Sequence, residues 1–149
     1  MEENFTFLDL GSLNDDDLEL SLISQTKSYP SQVPVYNFEM RQPSNATAMG
    51  RISLRVSNSE YTLLYAGHIG YRVFPEYRGN HYAARSCHLL LPLARRHGIN
   101  PVWITCNPDN VASIRTCEIL GATYCETVDL PKDIDMYNYG ERQKRRYWI

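Results

Sequence analysis

Alternating apolar and polar residues dominate the first half of the chain and predict β-strands. Leu18, Leu20 and Leu22 alternate with Glu19 and Ser21, which is the period of a half-buried strand. The same pattern predicts further strands at residues 35–40 and 51–56 and, after a turn at Asn58 and Ser59, an extension of this meander at 61–65. Prolines and small polar residues at 28–34 predict a loop between the first two strands.

Helical periods appear in the second half of the chain, between short strands. A strand at 68–74 is followed by a helix at 80–97, whose apolar residues recur on one face. Gly98 lies where a left-handed residue ends such a helix, and Pro92 is expected to kink its last turn.

A second helix is predicted after a short strand at 101–105. Asn107 is expected to cap this helix, with Pro108 in its first position and Gly121 at its end. Closing strands are predicted at 122–130 and 146–149. An antiparallel meander followed by strand–helix–strand–helix–strand predicts an α/β fold, with a mixed, mostly antiparallel central sheet flanked by helices.

Composition fits one folded domain over residues 1–149, with 1–16 as a loosely held lead-in. Hydrophobic residues make up 43% and charged residues 21%, as in ordinary globular proteins. The net charge of −2 does not support a general nucleic-acid-binding role. The longest apolar run, 89–94, is too short to cross a membrane, and the acidic start lacks the features of a secretion signal. We therefore expect a cytoplasmic protein.

Cysteine and histidine spacing argues against disulfides and metal binding. No C-x-x-C pair is present, so the four cysteines are expected to be reduced thiols. His81, Cys87 and His88 are close in sequence but lack the spacing of a metal site, and no metal is expected.

The segment 71–84 combines the end of a strand, a loop with Arg78 and Gly79, and the start of a helix. Such a junction directs free backbone N–H groups and the positive end of the helix dipole to one point. A phosphate or pyrophosphate suits that point. An ordinary tight turn gives the same pattern, so the spacing alone leaves both interpretations open.

This junction resembles motif A of the GNAT superfamily of N-acetyltransferases, Gln/Arg-x-x-Gly-x-Gly/Ala. Arg78 matches the first position and Ala83 the last, whereas His81 replaces the central glycine. A second stretch, 107–122, is similar to the family segment Asn-x-x-Ser/Ala-x-x-x-x-Glu-x-x-Gly-Phe/Ala. Its serine and glutamate resemble the branch that acetylates the N-termini of ribosomal proteins. The resemblance covers about residues 66–125.

The resemblance implies an acyl-CoA-dependent N-acyltransferase in which an amine attacks the thioester of acetyl-CoA directly. Backbone groups of Tyr71, Arg72 and Val73 are expected beside the pantetheine. The pyrophosphate is expected at the loop and helix start, formed by Arg78, Gly79, Asn80, His81, Tyr82 and Ala83. The pantetheine and adenosine side is expected to involve Asn107, Asn110 and Ser113.

The general acid and base stay open at this point. Many family members carry a tyrosine seven residues after the asparagine matched by Asn110, where this chain has Cys117. The candidate acids are therefore the Cys117 thiol and Tyr124, with plain packing and a half-buried strand position as the alternatives. His68 is the candidate base, with a hydrogen-bonded strand residue as the alternative. Further candidates for the base are Glu39, Glu60 and water.

The acceptor side departs from the family pattern. Relatives carry one or two helices between the first two strands, whereas only about ten residues, 24–34, are predicted to join them here. We expect a shortened acceptor-side segment and a site that is either open, closed by Tyr29 and Tyr36, or completed by a second subunit. The acceptor is then a small-molecule, peptide or protein amine.

Two alternative functions follow from the departures. A non-catalytic acyl-CoA-binding sensor or subunit would tolerate both His81 and the missing tyrosine at Cys117. The basic run 142–146 is interpreted as a solvated edge, although contact with the 3′-phosphate of coenzyme A, an acidic substrate or RNA would use the same charges.

Overall fold

A computed structural model describes residues 5–28 and 33–149 as two antiparallel sheets with helices. The first sheet has five strands in chain order: β1 (Asn14–Asp15), β2 (Leu18–Ser28), β3 (Val33–Arg41), β4 (Ala48–Arg55) and β5 (Ile69–Val73). The second has the order β6-β8-β7: β6 (Trp103–Cys106), β7 (Thr123–Asp129) and β8 (Gln143–Trp148). The helices are α1 (Tyr82–Arg96), α2 (Val111–Leu120) and α3 (Asp135–Asn138), with a π-helical turn at Thr62–Ala66 and a 3-10 turn at Pro75–Tyr77.

The five-stranded sheet has one apolar face, against which α1 packs. Phe38, Ile52 and Ile69 are buried on this face, as are Cys87 and Leu90 of α1. Alternate residues on the same strands are polar and form the outer face, because successive side chains of a strand point to opposite sides. Truncation of a buried Leu or Ile in such a core costs about 2–5 kcal/mol.

The two sheets meet at one point, next to His68. Its backbone N–H donates to the carbonyl of Trp103 at 2.7 Å, and the N–H of Trp103 donates to its Nδ1 at 2.9 Å. Gly67 has φ +75, and a Cβ there would lie 3.0 Å from the carbonyl oxygen of Trp103. Beyond this junction β5 and β6 belong to different sheets, so the strands separate toward their carboxyl ends.

Most of the predicted elements are confirmed, with three corrections. Residues 61–65 do not extend the meander, because Thr62–Ala66 forms the π-helical turn that packs against β6. The connection between the first long strands is shorter than predicted, since β2 continues to Ser28 and β3 begins at Val33. Tyr29 lies outside the described residues.

The third correction concerns the second helix, which begins at Val111 rather than at Pro108. Asn110 is its cap, because the Asn110 Oδ1 accepts the Ser113 N–H at 3.1 Å. Asn107 instead accepts the Asn110 N–H on its backbone carbonyl at 3.0 Å, which makes 107–110 a turn.

The basic run is not a solvated edge. Residues 143–148 form β8, the central strand of its sheet. Arg146 is buried and donates to the Leu63 carbonyl and to Glu126, while Lys144 pairs with Glu141 at 2.7 Å. The side chains at 144 and 146 are thus committed within the protein.

Residues near the start of the described chain pack against the core. Phe5 stacks on His97, and the Leu8 N–H donates to the Tyr36 hydroxyl at 2.8 Å. The Tyr36 hydroxyl also bonds His97 Nε2 at 2.6 Å, so Tyr36 is fully buried and does not close an acceptor site.

Some broader features concern the described residues only. No helix among them is long and apolar enough to span a bilayer. No group of three His, Cys, Asp or Glu side chains within 5–28 and 33–149 is arranged to hold a metal ion. All four cysteines are free thiols, and three of them are buried.

Candidate functional site

A groove of about 450 Å³ lies between β5, the start of α1 and α2. The β5–α1 loop forms one end of it. Its lining residues are Tyr71, Arg72, Val73, Tyr77, Arg78, Gly79, His81, Tyr82, Ala83, Asn110, Ala112, Ser113, Arg115, Thr116 and Ile119.

The first backbone N–H groups of α1 are unbonded at this end of the groove. The Arg85 N–H donates to the His81 carbonyl at 2.9 Å, which is the first helical bond. No N–H from Gly79 to Ala84 donates to another residue of the described chain. Free N–H groups and the helix dipole together make this end of the groove electropositive.

His81 has the backbone conformation that glycine favours. Its φ of 60° and ψ of 27° lie in the left-handed region, which histidine enters more readily than most residues. The preceding Gly79 also has a positive φ, of +94°. The substitution of glycine by His81 therefore preserves the chain path into α1, with an exposed imidazole at the mouth of the groove.

The side-chain charges of the groove are all positive. Arg72, Arg78 and Arg115 line it, and its lining includes no carboxylate, although Arg115 forms an exposed ion pair with Glu118 at 3.3 Å. The Arg78 Nε donates to the Val73 carbonyl at 3.1 Å, which places its guanidinium beside the loop. An anionic ligand is the natural complement of this lining.

The free edge of β5 also faces the groove. The Arg55 N–H of β4 donates to the His68 carbonyl, and the Phe74 N–H donates to the Met49 carbonyl of β4. The backbone groups of residues 68 and 74 therefore point toward β4. Because backbone groups alternate along an antiparallel strand, those of Tyr71 and Val73 point away from β4. Arg72 instead directs its backbone groups toward β4, and its side chain lies on the face of the sheet opposite to that of Tyr71.

Two hydroxyl groups meet across the groove. The Tyr71 hydroxyl, from β5, lies 2.5 Å from Ser113 Oγ in the first turn of α2. Burial raises the pKa of Tyr71 far above its usual value, so its phenol keeps its proton at neutral pH. Asn110 fixes this turn of α2 through its cap bond.

The structure does not bring His68 to the groove. The side chain is fully buried at the sheet junction, where Nδ1 accepts the Trp103 N–H and Nε2 lies 3.2 Å from Asn58 Oδ1. Burial lowers the pKa of His68 to about 4. With both nitrogens engaged, the imidazole joins the sheets and has no free lone pair for an amine.

The predicted acids Cys117 and Tyr124 also lie outside the groove lining. Cys117 is fully buried, and burial raises the pKa of its thiol to about 12. Tyr124 is exposed on β7, where its hydroxyl lies 2.8 Å from Thr127 Oγ1. Cys117 occupies the sequence position at which many members of the resembling family carry a catalytic tyrosine, but its thiol packs in the core.

Two residues predicted on the donor side, Asn80 and Asn107, do not line the groove. Asn80 lies in the loop, and its Nδ2 donates to the Tyr77 carbonyl at 3.2 Å. Asn107 does not line the groove, and its Oδ1 is buried without a partner among the described residues.

Some lining residues had no place in the sequence-based prediction of the groove. Ala112, Thr116 and Ile119 follow one another at helical spacing on α2, with Arg115 beside them. This periodicity was visible in the sequence and would have identified the stripe. The Tyr71 side chain was not predictable in the same way, because its contact with Ser113 joins residues distant in sequence.

A second cavity, of about 320 Å³, lies on the outer face of the five-stranded sheet. It shares Tyr71 and Arg72 with the groove, so the two spaces adjoin along β5. Its other lining residues are Ile23, Ser24, Asn37, Phe38, Arg51, Ile52, Ser53 and Gly70.

Known structures share this fold. A protein from Vibrio cholerae, assigned as a ribosomal-protein-serine acetyltransferase, superposes with a TM-score of 0.65 at 16% identity, over 93% of this chain and 96% of the other. The ribosomal-protein-S5-alanine acetyltransferase from Vibrio fischeri gives 0.59 at 19% identity, over 77% of this chain and 61% of the other. The microcin C7 self-immunity acetyltransferase, in complex with acetyl-CoA and AMP, gives 0.59 at 16% identity over 77% and 60%. This chain thus spans about 60% of the length of the latter two proteins.

Sequence comparison gives the family. A comparison with curated protein sequences finds no match. The model of the acetyltransferase (GNAT) domain matches residues 9–123, which include all five strands of the first sheet, α1 and α2. This match covers more than half of the chain, and the chain therefore belongs to the GNAT acetyltransferase family.

Proposed function

We propose that this chain transfers an acyl group, acetyl in the first instance, from a coenzyme A thioester to a primary amine. The observation that carries the proposal is the row of unbonded N–H groups from Gly79 to Ala84, in a groove lined by three arginines. A pyrophosphate matches both the free donors and the charge. The neighbour solved with acetyl-CoA and AMP supports acetyl-CoA as the donor.

The open edge of β5 complements the proposed phosphate end of the groove. Tyr71 offers both its N–H and its C=O there, as an edge strand does for an added extended chain. A pantetheine arm carries amide groups that pair in this way. The Asn110 and Ser113 end of α2 forms the opposite wall.

The transfer needs one proton at the departing sulfur and the loss of one from the amine. The bound donor supplies the activated acyl carbon. The amine nitrogen attacks this carbon and forms the C–N bond, and the C–S bond breaks to release the coenzyme A sulfur. The Tyr71 and Ser113 hydroxyls are hydrogen-bonded to each other in the lining of the groove, and we assign Tyr71 as proton donor from this position.

Removal of the amine proton is assigned to water. Among the described residues that line the two cavities there is no carboxylate, and the single imidazole is His81 at the loop end of the groove. An open acceptor side allows the amine to lose its proton to solvent.

The acceptor proposed is the terminal amine of a peptide or protein. The shared wall at Tyr71 and Arg72 places the outer cavity next to the donor groove, and no described helix lies between β2 and β3. The neighbours named as ribosomal-protein-S5-alanine and ribosomal-protein-serine acetyltransferases favour a protein amine.

The proposal is tested by calorimetry with acetyl-CoA and by thiol release with peptides that begin with serine or alanine. We expect binding and release of free thiol that depends on the peptide. Binding without release for any amine would make the chain a non-catalytic acyl-CoA-binding module. Absence of acetyl-CoA binding would remove the donor site itself.

A further inference from the structure

We infer that the acceptor carries a carboxylate or another anionic group near its amine, and that Arg51 and Arg72 hold this group. The inference rests on the proposed function and names the substrate class of the same site. Its basis is the pairing of the two arginines on the outer face of the sheet, beside the donor groove.

The two arginines lie directly opposite each other on neighbouring strands. Arg51 of β4 pairs in register with Arg72 of β5, so both side chains project from the same face. Both are exposed, and neither forms an ion pair or a side-chain hydrogen bond with another described residue. Like charges at such a cross-strand position destabilise a sheet, and a bound anion would remove that repulsion.

The nearest acidic residue on this face is already engaged. Glu39 lies opposite Arg51 in register, but its Oε1 accepts from the Arg41 Nε at 2.6 Å. Glu19 is opposite Arg41, one strand farther from the cavity. The Arg51–Arg72 pair therefore forms no ion pair with a described carboxylate, and the neighbouring Glu39 is shared with Arg41.

The cavity beside the pair is polar and has room for a small group. Ser24, Asn37 and Ser53 line it, and the Asn37 Nδ2 donates to Ser24 Oγ at 3.1 Å. Gly70 forms part of its floor, where a Cβ would lie 3.7 Å from Ser53 Oγ. Arg72 lines both this cavity and the donor groove. An acceptor whose anionic group is bound in the cavity can therefore direct its amine into the groove.

The experiment measures peptide binding to the full chain saturated with coenzyme A, so that it does not depend on turnover. Calorimetry compares the amidated peptides Ser-Asp-Ala and Ser-Asn-Ala, which differ only in charge, and free serine. We expect the aspartate peptide to bind about tenfold more tightly than the asparagine peptide. Higher salt should reduce this preference, because the site is exposed.

Variants assign the preference to the arginine pair. Arg51→Gln should lower the preference to about twofold or less, and Arg51→Lys should keep part of it. Lys132→Gln removes the same charge from an exposed position that lines neither cavity, and it should leave the preference intact. Affinity for coenzyme A should stay unchanged in all three variants, which also reports that they fold.

Each outcome decides the inference. Equal affinity of the two peptides for the native chain, or a preference that survives Arg51→Gln, would overturn it. A loss of coenzyme A affinity in Arg51→Gln would also overturn it, by assigning the pair to donor phosphates. Free serine binding as tightly as the aspartate peptide would support the subsite and identify an α-carboxylate as its anion. Peptide binding that depends on Arg51, without thiol release from acetyl-CoA, would contradict the proposed transferase activity but would still support the anion subsite.

Discussion

At the scale of single residues, the groove depends on a few groups whose position is set by the backbone. His81 supplies a left-handed residue before α1, and Arg78 lies over the loop through its bond to the Val73 carbonyl. The Tyr71 hydroxyl meets Ser113 from the opposite wall. Phosphate binding and proton transfer are thus assigned to different residues, and substitutions should separate them.

Reversal of the charge at Arg78 should weaken donor binding. Arg78→Glu places a carboxylate beside the proposed pyrophosphate site, and we expect the Kd for coenzyme A to rise at least about tenfold, which is about 1.4 kcal/mol. Titration calorimetry measures it. Lys132→Glu is the matched control, since it makes the same charge change outside the groove. Unchanged affinity in Arg78→Glu would remove this arginine from the site.

Removal of one hydroxyl should affect catalysis without affecting donor binding. Tyr71→Phe deletes the proposed proton donor and keeps the ring, so kcat should fall roughly a hundredfold, within the usual range for general acid catalysis. Thiol-release kinetics measure kcat, with coenzyme A affinity as the check on folding. Tyr139→Phe, at an exposed position, is the control. A wild-type kcat in Tyr71→Phe would exclude the phenol as the acid.

The position of the loop before α1 was predictable from the sequence, because glycine, arginine and a helix start are adjacent there. Arg78, Gly79 and His81 all line the groove, and anion binding by this loop stays a prediction. The roles expected for His68 and Cys117 depended on burial, which alignment to a motif does not give. Both side chains turn out to be fully buried.

At the scale of elements, the close contact between Gly67 and β6 precedes the separation of β5 from β6. A Cβ at Gly67 would lie 3.0 Å from the Trp103 carbonyl oxygen and 3.1 Å from the Thr105 nitrogen. The strands therefore approach closely before they diverge into the groove. Both strands were predictable from the sequence, whereas this contact was not, because it joins residues far apart along the chain.

Gly67→Ala should destabilise the protein beyond the cost of its backbone conformation. A left-handed non-glycine residue costs about 1–2 kcal/mol, and Gly98→Ala should show that cost alone, since nothing lies within 4 Å of its Cβ position. Gly67→Ala adds the clash with β6 to a backbone conformation, φ 75 and ψ 167, that is essentially restricted to glycine, and we expect at least about 1 kcal/mol more. Urea denaturation compares the two variants. Equal free energies of unfolding would show that the sheets do not approach so closely.

At the scale of the whole molecule, the contacts of His68 join the two sheets. Its backbone and Nδ1 both bond to Trp103, so one residue joins the two sheets through two hydrogen bonds. The general fold class was predictable, because strand and helix periods are local. The division into two sheets was not, since it depends on the pairing of β8 between β6 and β7.

Stability should fall at acidic pH through this histidine. Its pKa is about 4 in the folded chain against an ordinary value of 6.5, so the unfolded chain binds the proton more readily. The contribution is fully present above pH 6.5 and is lost as the pH falls toward 4. The urea midpoint at pH 7.5 and pH 5 should differ more in the native chain than in His68→Gln. Burial also lowers the pKa of His97, but His97 is present in both proteins, so its contribution cancels in this comparison. An identical pH dependence would show that His68 is not held neutral at the junction.

Amide hydrogen exchange, measured by NMR with and without saturating coenzyme A, tests the central claim most directly. The N–H groups from Gly79 to Ala84 have no acceptor within the described protein, and bound pyrophosphate should provide one. We predict that their exchange slows on addition of coenzyme A, together with that of Tyr71 on the open edge of β5. Protection elsewhere, with exchange at Gly79–Ala84 unchanged, would contradict the account.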